Sequence, residues 1–314
     1  MDISVVICTY NRAASLEVTL SSLRHLEAPP SLTWEILIVD NNSADSTRSV
    51  IESFRASSGL NVRYVFELQQ GRSFALNRGI NEAKGEIIAF TDDDVTLDPK
   101  WLVGLKQAFD EWGSIAAGGR IIPVWNDPVP SWLQMEGQQA VLHLDLGDEP
   151  RELNFAIGAN SAFRREAFLK YGVFQAGVSV DGKSAAGYED DEYGHRLTRA
   201  GEKIMYVPGA VVYHPVASHR LTKAYFRKWF YDCGRTMMWA RIWPQETVLY
   251  FGIPRFLFRA FVENSVKWPF MRDQKRRFRC ECLARRAVGG IREGCRMYAL
   301  GKKEKHSKPQ KART

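Results

Sequence analysis

Asp92, Asp93 and Asp94 set three carboxylates side by side directly after the apolar run Ile87-Ile88-Ala89-Phe90. Adjacent like charges at the end of a buried strand repel one another and call for a cation. Oxygen donors of this kind suit Mg2+ or Mn2+, which keep coordination positions open for the oxygens of a diphosphate. Alone, such a triplet reads more readily as a solvated acidic turn leading to Pro99, but its place after so apolar a run reverses that preference. A second acidic constellation, Glu189-Asp190-Asp191-Glu192, opens a helical segment, where the macrodipole favours carboxylates. Capping explains some of the four. One of them beside an acceptor hydroxyl could take its proton as the oxygen attacks, which is general-base catalysis. His214 closes the strand-like Ala210-Val211-Val212-Tyr213 and could ligate the same ion through a neutral ring nitrogen.

Elements that bring such groups together are legible in the first hundred residues. Short β-branched runs at Ile3–Cys8, Glu35–Val39, Val62–Phe66 and Glu86–Phe90 alternate with helical patterns at Ala13–Leu26, Ser46–Ser57 and Arg72–Ala83. This alternation predicts parallel βαβ units and a doubly wound α/β sheet, whose ligands gather at the carboxyl ends of the strands. The polar clusters after Cys8, Val39 and Phe90 all lie at such ends, so three loops should converge on one crevice. Further on, Asp98 and Pro99 open a helix to about Trp112. Val124–Gln139 reads as an elaborated loop, and strands are expected at Phe155–Ile157, Met205–Val207 and Ala210–Tyr213.

Residues 247–268 are too interrupted to span a membrane, which takes ~20 apolar residues. Arg255, Arg259, Glu263 and Lys267 fall on one drifting stripe, with Phe256, Leu257, Phe258, Phe261 and Val262 elsewhere on the helix. Such a helix either lies in a membrane interface or packs on the protein's own core.

Over all 314 residues the formal charge is +7, but the distribution matters more than the total. Residues 271–314 carry 15 Lys and Arg against 4 Asp and Glu, whereas residues 1–270 carry 28 against 32. Basicity therefore belongs to the C-terminal segment, and the body offers no basic surplus for nucleic acid; an anionic membrane surface fits the charge better. Five cysteines without C-x-x-C spacing read as free thiols in a reducing cytoplasm. The apolar opening is too short for a secretory signal. A cytoplasmic protein, peripheral on the inner face of the cell membrane, is the expectation.

Several segments together resemble family 2 glycosyltransferases. They are Val5-Val-Ile-Cys-Thr-Tyr-Asn-Arg12, Ile38-Val-Asp-Asn-Asn-Ser-Ala-Asp45, Gly71-Arg72 with Ala75-Leu-Asn-Arg-Gly79, Phe90-Thr-Asp-Asp-Asp94, Gly158-Ala-Asn-Ser-Ala-Phe163 and Glu189-Asp190. Six motifs in the family's order, over about residues 1–220, carry the resemblance. It implies a GT-A fold: a Rossmann-like, doubly wound mixed sheet over residues 1–220 (nucleotide half about 1–110, acceptor half about 111–220). A helical extension at 221–270 and a basic tail at 271–314 would follow.

The implied reaction is an inverting single displacement from a nucleotide-diphosphate sugar, UDP-linked, onto a glycan or lipid-linked acceptor hydroxyl. By the same resemblance Thr9, Tyr10 and Asn11 would surround the base and Asp40 would pair with its ring N–H. Arg72 would lie against the base or diphosphate, Asp92 and Asp93 would contact the nucleotide sugar, and Asn160 would line the sugar pocket. Asp94, Asp92 and His214 would hold Mn2+ or Mg2+; Asp190 would be the base, with Glu189 orienting a substrate. Metal-dependent nucleotidyl transfer, which wants an early glycine-rich loop with Lys, and a non-catalytic membrane-associated binding module are the alternatives. The family's processive Gln-x-x-Arg-Trp motif is missing, so one sugar per encounter is expected.

Overall fold

Eleven strands and nine α-helices are defined among the described residues of the computed structural model, which are residues 1–133, 140–141, 143–155, 158–175, 189–244 and 246–307, with side chains to residue 300. The chain forms two compact units: residues 1–127, 141–177 and 188–217, and residues 128–140, 178–187 and 218–314.

The first unit is built on β1 (Ile3–Thr9), β2 (Trp34–Asp40), β3 (Val62–Phe66), β4 (Ile87–Thr91), β5 (Thr96–Leu97), β6 (Ala116–Trp125), β7 (Arg151–Leu153), β8 (Asn160–Arg164) and β9 (Ile204–Val216). Their order is β3-β2-β1-β4-β8-β6-β9-β5, with β7 on β9. Strands β1 to β4 are mutually parallel, as the βαβ pattern predicts, because α1 (Ala13–Leu23), α2 (Thr47–Ser57) and α3 (Arg72–Glu82) supply the crossovers. β8 enters antiparallel between β4 and β6, and β9 runs parallel to β6. The sheet is therefore mixed. α4 (Trp101–Glu111), α5 (Arg165–Tyr171) and α6 (Glu189–Arg199) complete the layers.

Both faces of the central strands are covered. Ile3, Val5 and Ile7 enter one apolar cluster with Leu16, Leu20 and Trp101, while Val6 enters the other with Leu76, Phe90 and Tyr193. This explains why β1 and β4 read as unbroken apolar runs rather than alternating ones.

The expected strand at Phe155–Ile157 is not formed at Phe155; residues 156 and 157 lie outside those described, as do 134–139 of the expected loop. The loop's first residues, Val124 and Trp125, instead finish β6. The two strands expected at 205–207 and 210–213 are one, β9, whose register against β6 jumps between Gly119 and Arg120 to accommodate Pro208 and Gly209.

The second unit holds α7 (Lys223–Trp239), a hairpin of β10 (Leu249–Tyr250) and β11 (Ile253–Pro254), α8 (Arg255–Phe270) and α9 (Gln274–Ser307). The segment expected as a basic tail is thus largely helix. α7 and α9 cross at backbone contact: a Cβ on Gly234 would stand 1.8 Å from the Arg286 carbonyl oxygen, and one on Gly289 2.1 Å from that of Tyr231. Trp132 packs edge-on against Phe226 and Phe278, giving α9 an aromatic anchor near its start. Among the described residues no helix is long and apolar enough to cross a membrane.

A close approach at β6 generates a test. A Cβ on Gly119 would lie 2.2 Å from the Ala210 carbonyl oxygen and 2.3 Å from Asn160 Nδ2, whereas one on Gly209 meets nothing within 4 Å. Gly119→Ala should cost about 1–3 kcal/mol in denaturant unfolding. Gly209→Ala should stay within about 0.5 kcal/mol of the parent.

Candidate active site

Three parallel strands deliver their carboxyl ends side by side, with Thr9 opposite Asp40 across β1–β2 and Ile7 opposite Thr91 across β1–β4. The loops that follow are tied together. Asn11, in the left-handed region at φ 51°, accepts from Ala44 N at 2.7 Å and donates its own N–H to Ser43 Oγ at 2.9 Å. Asn41 accepts from Gly71 N at 2.8 Å, and Gly71, at φ 139°, turns the chain into α3 so that Arg72 opens the helix.

Asp40 is buried, accepting from Ser43 N on Oδ1 and from Tyr64 Oη on Oδ2, both at 3.0 Å. Burial, with the Asp40 carboxylate beside it, pushes the Tyr64 phenol up to about 12, so the phenol keeps the proton it donates. Thr9 is buried and Tyr10 exposed.

The acidic triplet divides by role. Asp92, Asp94 and His214 each offer a ligand atom, and these atoms lie within 4.8 Å of one another. Topology makes the cluster: β5 pairs antiparallel with β9, setting Thr96 opposite Tyr213, so His214 comes to the loop that begins at Asp92. His214 is buried, and its Nδ1 lies 2.9 Å from the Pro215 carbonyl oxygen. A carbonyl only accepts, so Nδ1 carries the hydrogen and Nε2 of the neutral ring presents a lone pair. That lone pair has no hydrogen-bond partner and sits 3.4 Å from Asp94 Oδ1. A lone pair on the neutral ring, facing a carboxylate oxygen, suits a shared cation, and a neutral imidazole with carboxylates is a donor set for Mn2+, Mg2+ or Zn2+.

Asp93 turns elsewhere. It is buried and receives Arg12 Nη1 at 2.9 Å, and the same nitrogen reaches Asp94 Oδ2 at 2.7 Å. Burial pushes the Asp93 carboxyl up to about 6 against the opposing pull of Arg12. Arg72 Nη2 donates to Asp92 Oδ1 at 2.8 Å. Two guanidiniums therefore already offset part of the triplet's charge, and the unpartnered His214 nitrogen argues for an ion better than the carboxylates do. Arg12 was visible in the sequence only as the residue after Asn11.

Arg72 also faces the second constellation, with Nη1 3.9 Å from Glu189 Oε2. Glu189 is buried, takes Ser73 Oγ on Oε1 at 3.1 Å, and leaves Oε2 without a hydrogen bond. Asp190 Oδ2 accepts the Gly158 amide in a short hydrogen bond. A Cβ on Gly158 would stand 2.7 Å from Arg72 Nη2 and 3.2 Å from Asp190 Oδ2, so all three meet at one point. Burial raises the Asp190 carboxyl to about 6, the neighbouring Arg72 opposing and Glu189 adding to the shift. Glu192 is spent on Arg196, as capping and i,i+4 pairing predict.

Asn160 does not line a pocket. Its side chain is fully buried, donating to the Arg120 and Ala210 carbonyls at 2.9 and 2.8 Å and accepting from Trp101 Nε1 at 2.8 Å. Every strong donor it has is consumed in joining β6, β8, β9 and α4, which makes it structural.

Residues 4–172 match the family model described as Glycosyl transferase family 2. Succinoglycan biosynthesis protein ExoM of Rhizobium meliloti (strain 1021) is 27% identical over 237 residues, 75% of this chain and 74% of its own. Glucosyl-dolichyl phosphate glucuronosyltransferase of Haloferax volcanii is 26% identical over 228 residues, 70% of this chain and 71% of its own. In structure, the chain resembles residues 1–349 of S. aureus TarS in complex with UDP-GlcNAc (TM-score 0.59, 16% identity, 99% of this chain and 93% of that one). It also resembles mannosyltransferase PcManGT from Pyrobaculum calidifontis in complex with GDP-Man and Mn2+ (TM-score 0.54, 18% identity, 98% and 81%). With these neighbours the mixed sheet is a GT-A fold, as expected from the sequence.

Replacing Asn160 by Ala strands one donor and two acceptors in the core, at about 1–3 kcal/mol each. Asn160→Ala should therefore lose roughly 3 kcal/mol or more in equilibrium unfolding; a loss below about 1 kcal/mol would contradict the structural role assigned to it.

Proposed function

The chain belongs to glycosyl transferase family 2 and so to the glycosyltransferases, and we propose on that premise that it moves one sugar from a UDP-linked donor to an acceptor hydroxyl with inversion. The observation that carries the reading is the meeting of a cation-ready cluster (Asp92, Asp94, His214) and a buried carboxylate (Asp190) at either side of Arg72. Mn2+ or Mg2+ held by those three residues would supply positive charge for the departing diphosphate.

The chain's own groups do the rest. The acceptor oxygen forms a bond to the anomeric carbon as the bond from that carbon to the diphosphate breaks, and Asp190 takes the hydroxyl proton. Glu189 Oε2, lacking a hydrogen bond, is available to a substrate hydroxyl. Arg72, presented by α3, supplies a guanidinium to the diphosphate. Asp40 keeps a lone pair on each oxygen for the N–H of the base, beside Thr9, Tyr10 and Asn11. Asp93, paired with Arg12, holds the loop rather than the donor. ExoM is named for succinoglycan biosynthesis, which favours a glycan acceptor, and the Haloferax enzyme for a dolichyl phosphate substrate, which favours one on a lipid carrier; the basic C-terminal segment suits an anionic membrane surface.

Asp190→Asn should reduce transfer by about a hundred- to ten-thousand-fold while calorimetry still detects UDP. Undiminished turnover would remove Asp190 from the reaction. Because the deprotonated carboxylate is the base and its pKa is raised to about 6, the parent's turnover should fall as pH drops through that value.

Saturating Mn2+ should raise the melting temperature, by a stabilisation of about 2.7 kcal/mol at a hundredfold excess over Kd. His214→Ala should abolish that rise; an equal rise in the variant would place the ion elsewhere.

A further inference from the structure

α8 turns one side inward: Leu257 is buried with Met237, Met238 and Ala287, and Phe258 and Ala260 pack against that cluster. The charged stripe of the sequence does not lie opposite a wholly apolar one. At 100° per residue Arg255, Arg259, Val262, Val266 and Phe270 share the outward direction, opposite Leu257 and Trp268. Val262, Val266 and Phe270 are exposed, Phe270 by 83%.

The hairpin that leads into α8 carries exposed aromatic side chains of its own, Tyr250 and Phe251. Tyr250 packs on Phe258 with ring centroids 6.3 Å apart, and Phe251 at the tip is 75% exposed. Phe251 stands at φ 52°, a backbone region that suits Gly or Asn and disfavours an aromatic side chain. Phe251 meets Tyr298 edge-on, with ring centroids 5.9 Å apart, and the greater part of its side chain remains open to solvent.

Basic side chains frame the line. From Arg255 to Arg279 eight Lys and Arg stand against two acids, Glu263 and Asp273, and all eight are exposed. Glu263 is paired with Arg259 at 2.6 Å. Apolar wedges among cations match the boundary between anionic headgroups and acyl chains, and no described helix is long and apolar enough to cross a membrane. A protein partner complementary to this surface would need acidic and apolar groups interleaved at the same spacing, whereas an anionic bilayer offers both everywhere.

We infer that the β10–β11 tip and the outward face of α8 form an interfacial docking surface for an anionic phospholipid bilayer. This deepens, and rests on, the reading of a membrane-borne acceptor, but it names residues which that reading does not involve.

The test is flotation of the full chain with vesicles of phosphatidylcholine alone and of equimolar phosphatidylcholine and phosphatidylglycerol. The wild type should float with the anionic vesicles and much less with the neutral ones. Combined Phe251→Ser, Val266→Ser and Phe270→Ser should lower the bound fraction about tenfold or more, and Phe251→Ser or Phe270→Ser alone should lower it in part. Arg255→Gln with Lys267→Gln should weaken the anionic preference.

Flotation of the triple variant equal to the wild type overturns the inference, as does a wild type that fails to float. A wild-type dimer that the triple variant converts to monomer overturns it too, since a second copy would then cover the face. Donor hydrolysis without lipid, run on the same proteins, separates the two readings. Lost flotation with unchanged hydrolysis supports the docking surface. Unchanged turnover in Asp190→Asn with flotation intact removes the transfer mechanism and leaves the docking surface standing.

Discussion

The site depends on Arg72 standing between two groups of carboxylates that would otherwise repel each other. On one side is Asp92, hydrogen-bonded at 2.8 Å; on the other are Glu189 at 3.9 Å and Asp190, which shares the Gly158 contact. Without a cation at that point, two buried acids and a neighbouring acidic loop would meet in one small volume, where Coulomb repulsion is poorly screened. Arg12 does the corresponding work at Asp93 and Asp94. The guanidiniums let the acids coexist, but they leave His214 Nε2 and Glu189 Oε2 without a hydrogen-bond partner, and those atoms are where a ligand has something to gain.

The sequence disclosed the parts of the fold whose physics is local. β1, β2 and β4 are buried on both faces, so they appear as near-continuous apolar runs, and the polar loops after them fall at one edge of the sheet. β6 stayed hidden because Gly118-Gly119 and Pro123 look like turn residues; they are tolerated because Gly119 lets β6 approach Asn160 and Ala210 more closely than any side chain would allow. β8 is five residues long, too short for its periodicity to mark it as a strand. α9 looked like a solvated tail, since its Lys and Arg suggest no core, yet Gly289 and Gly290 bring it into backbone contact with α7, and Arg227 and Arg235 pair with its Glu281 and Glu293. Contacts between distant segments decide such helices, and local pattern is blind to them.

The site was legible in identity more than in role. Asp92, Asp94, Asp190, Glu189, Arg72 and His214 gather as their motifs suggested. Asn160 does not: a polar side chain beside functional residues looks like a pocket residue, and only its three core hydrogen bonds reveal it as a brace. Asp93 sits between two candidate ligands in sequence but is buried against Arg12 in the turn that follows β4.

Strand direction explains why Asp190 can stand near the Asp92–Asp94–His214 cluster at all. A wholly parallel sheet sends only the residues that follow its strands to the ligand edge. Here β8 runs antiparallel to β4 with Asn160 opposite Thr91, so the residues preceding β8 arrive where those following β4 depart. Thr91 Oγ1 fixes that meeting by donating to the Ala159 carbonyl at 3.0 Å. Gly158 is thereby carried to the Asp92 loop, and its amide holds Asp190 at the start of α6. β9 runs parallel to β6 and so in the direction of β4, and this carries His214, near the carboxyl end of β9, to the same edge. Reversing β8 or β9 would leave every motif intact in sequence and send the Gly158 amide that holds Asp190, or His214 itself, to the opposite edge of the sheet.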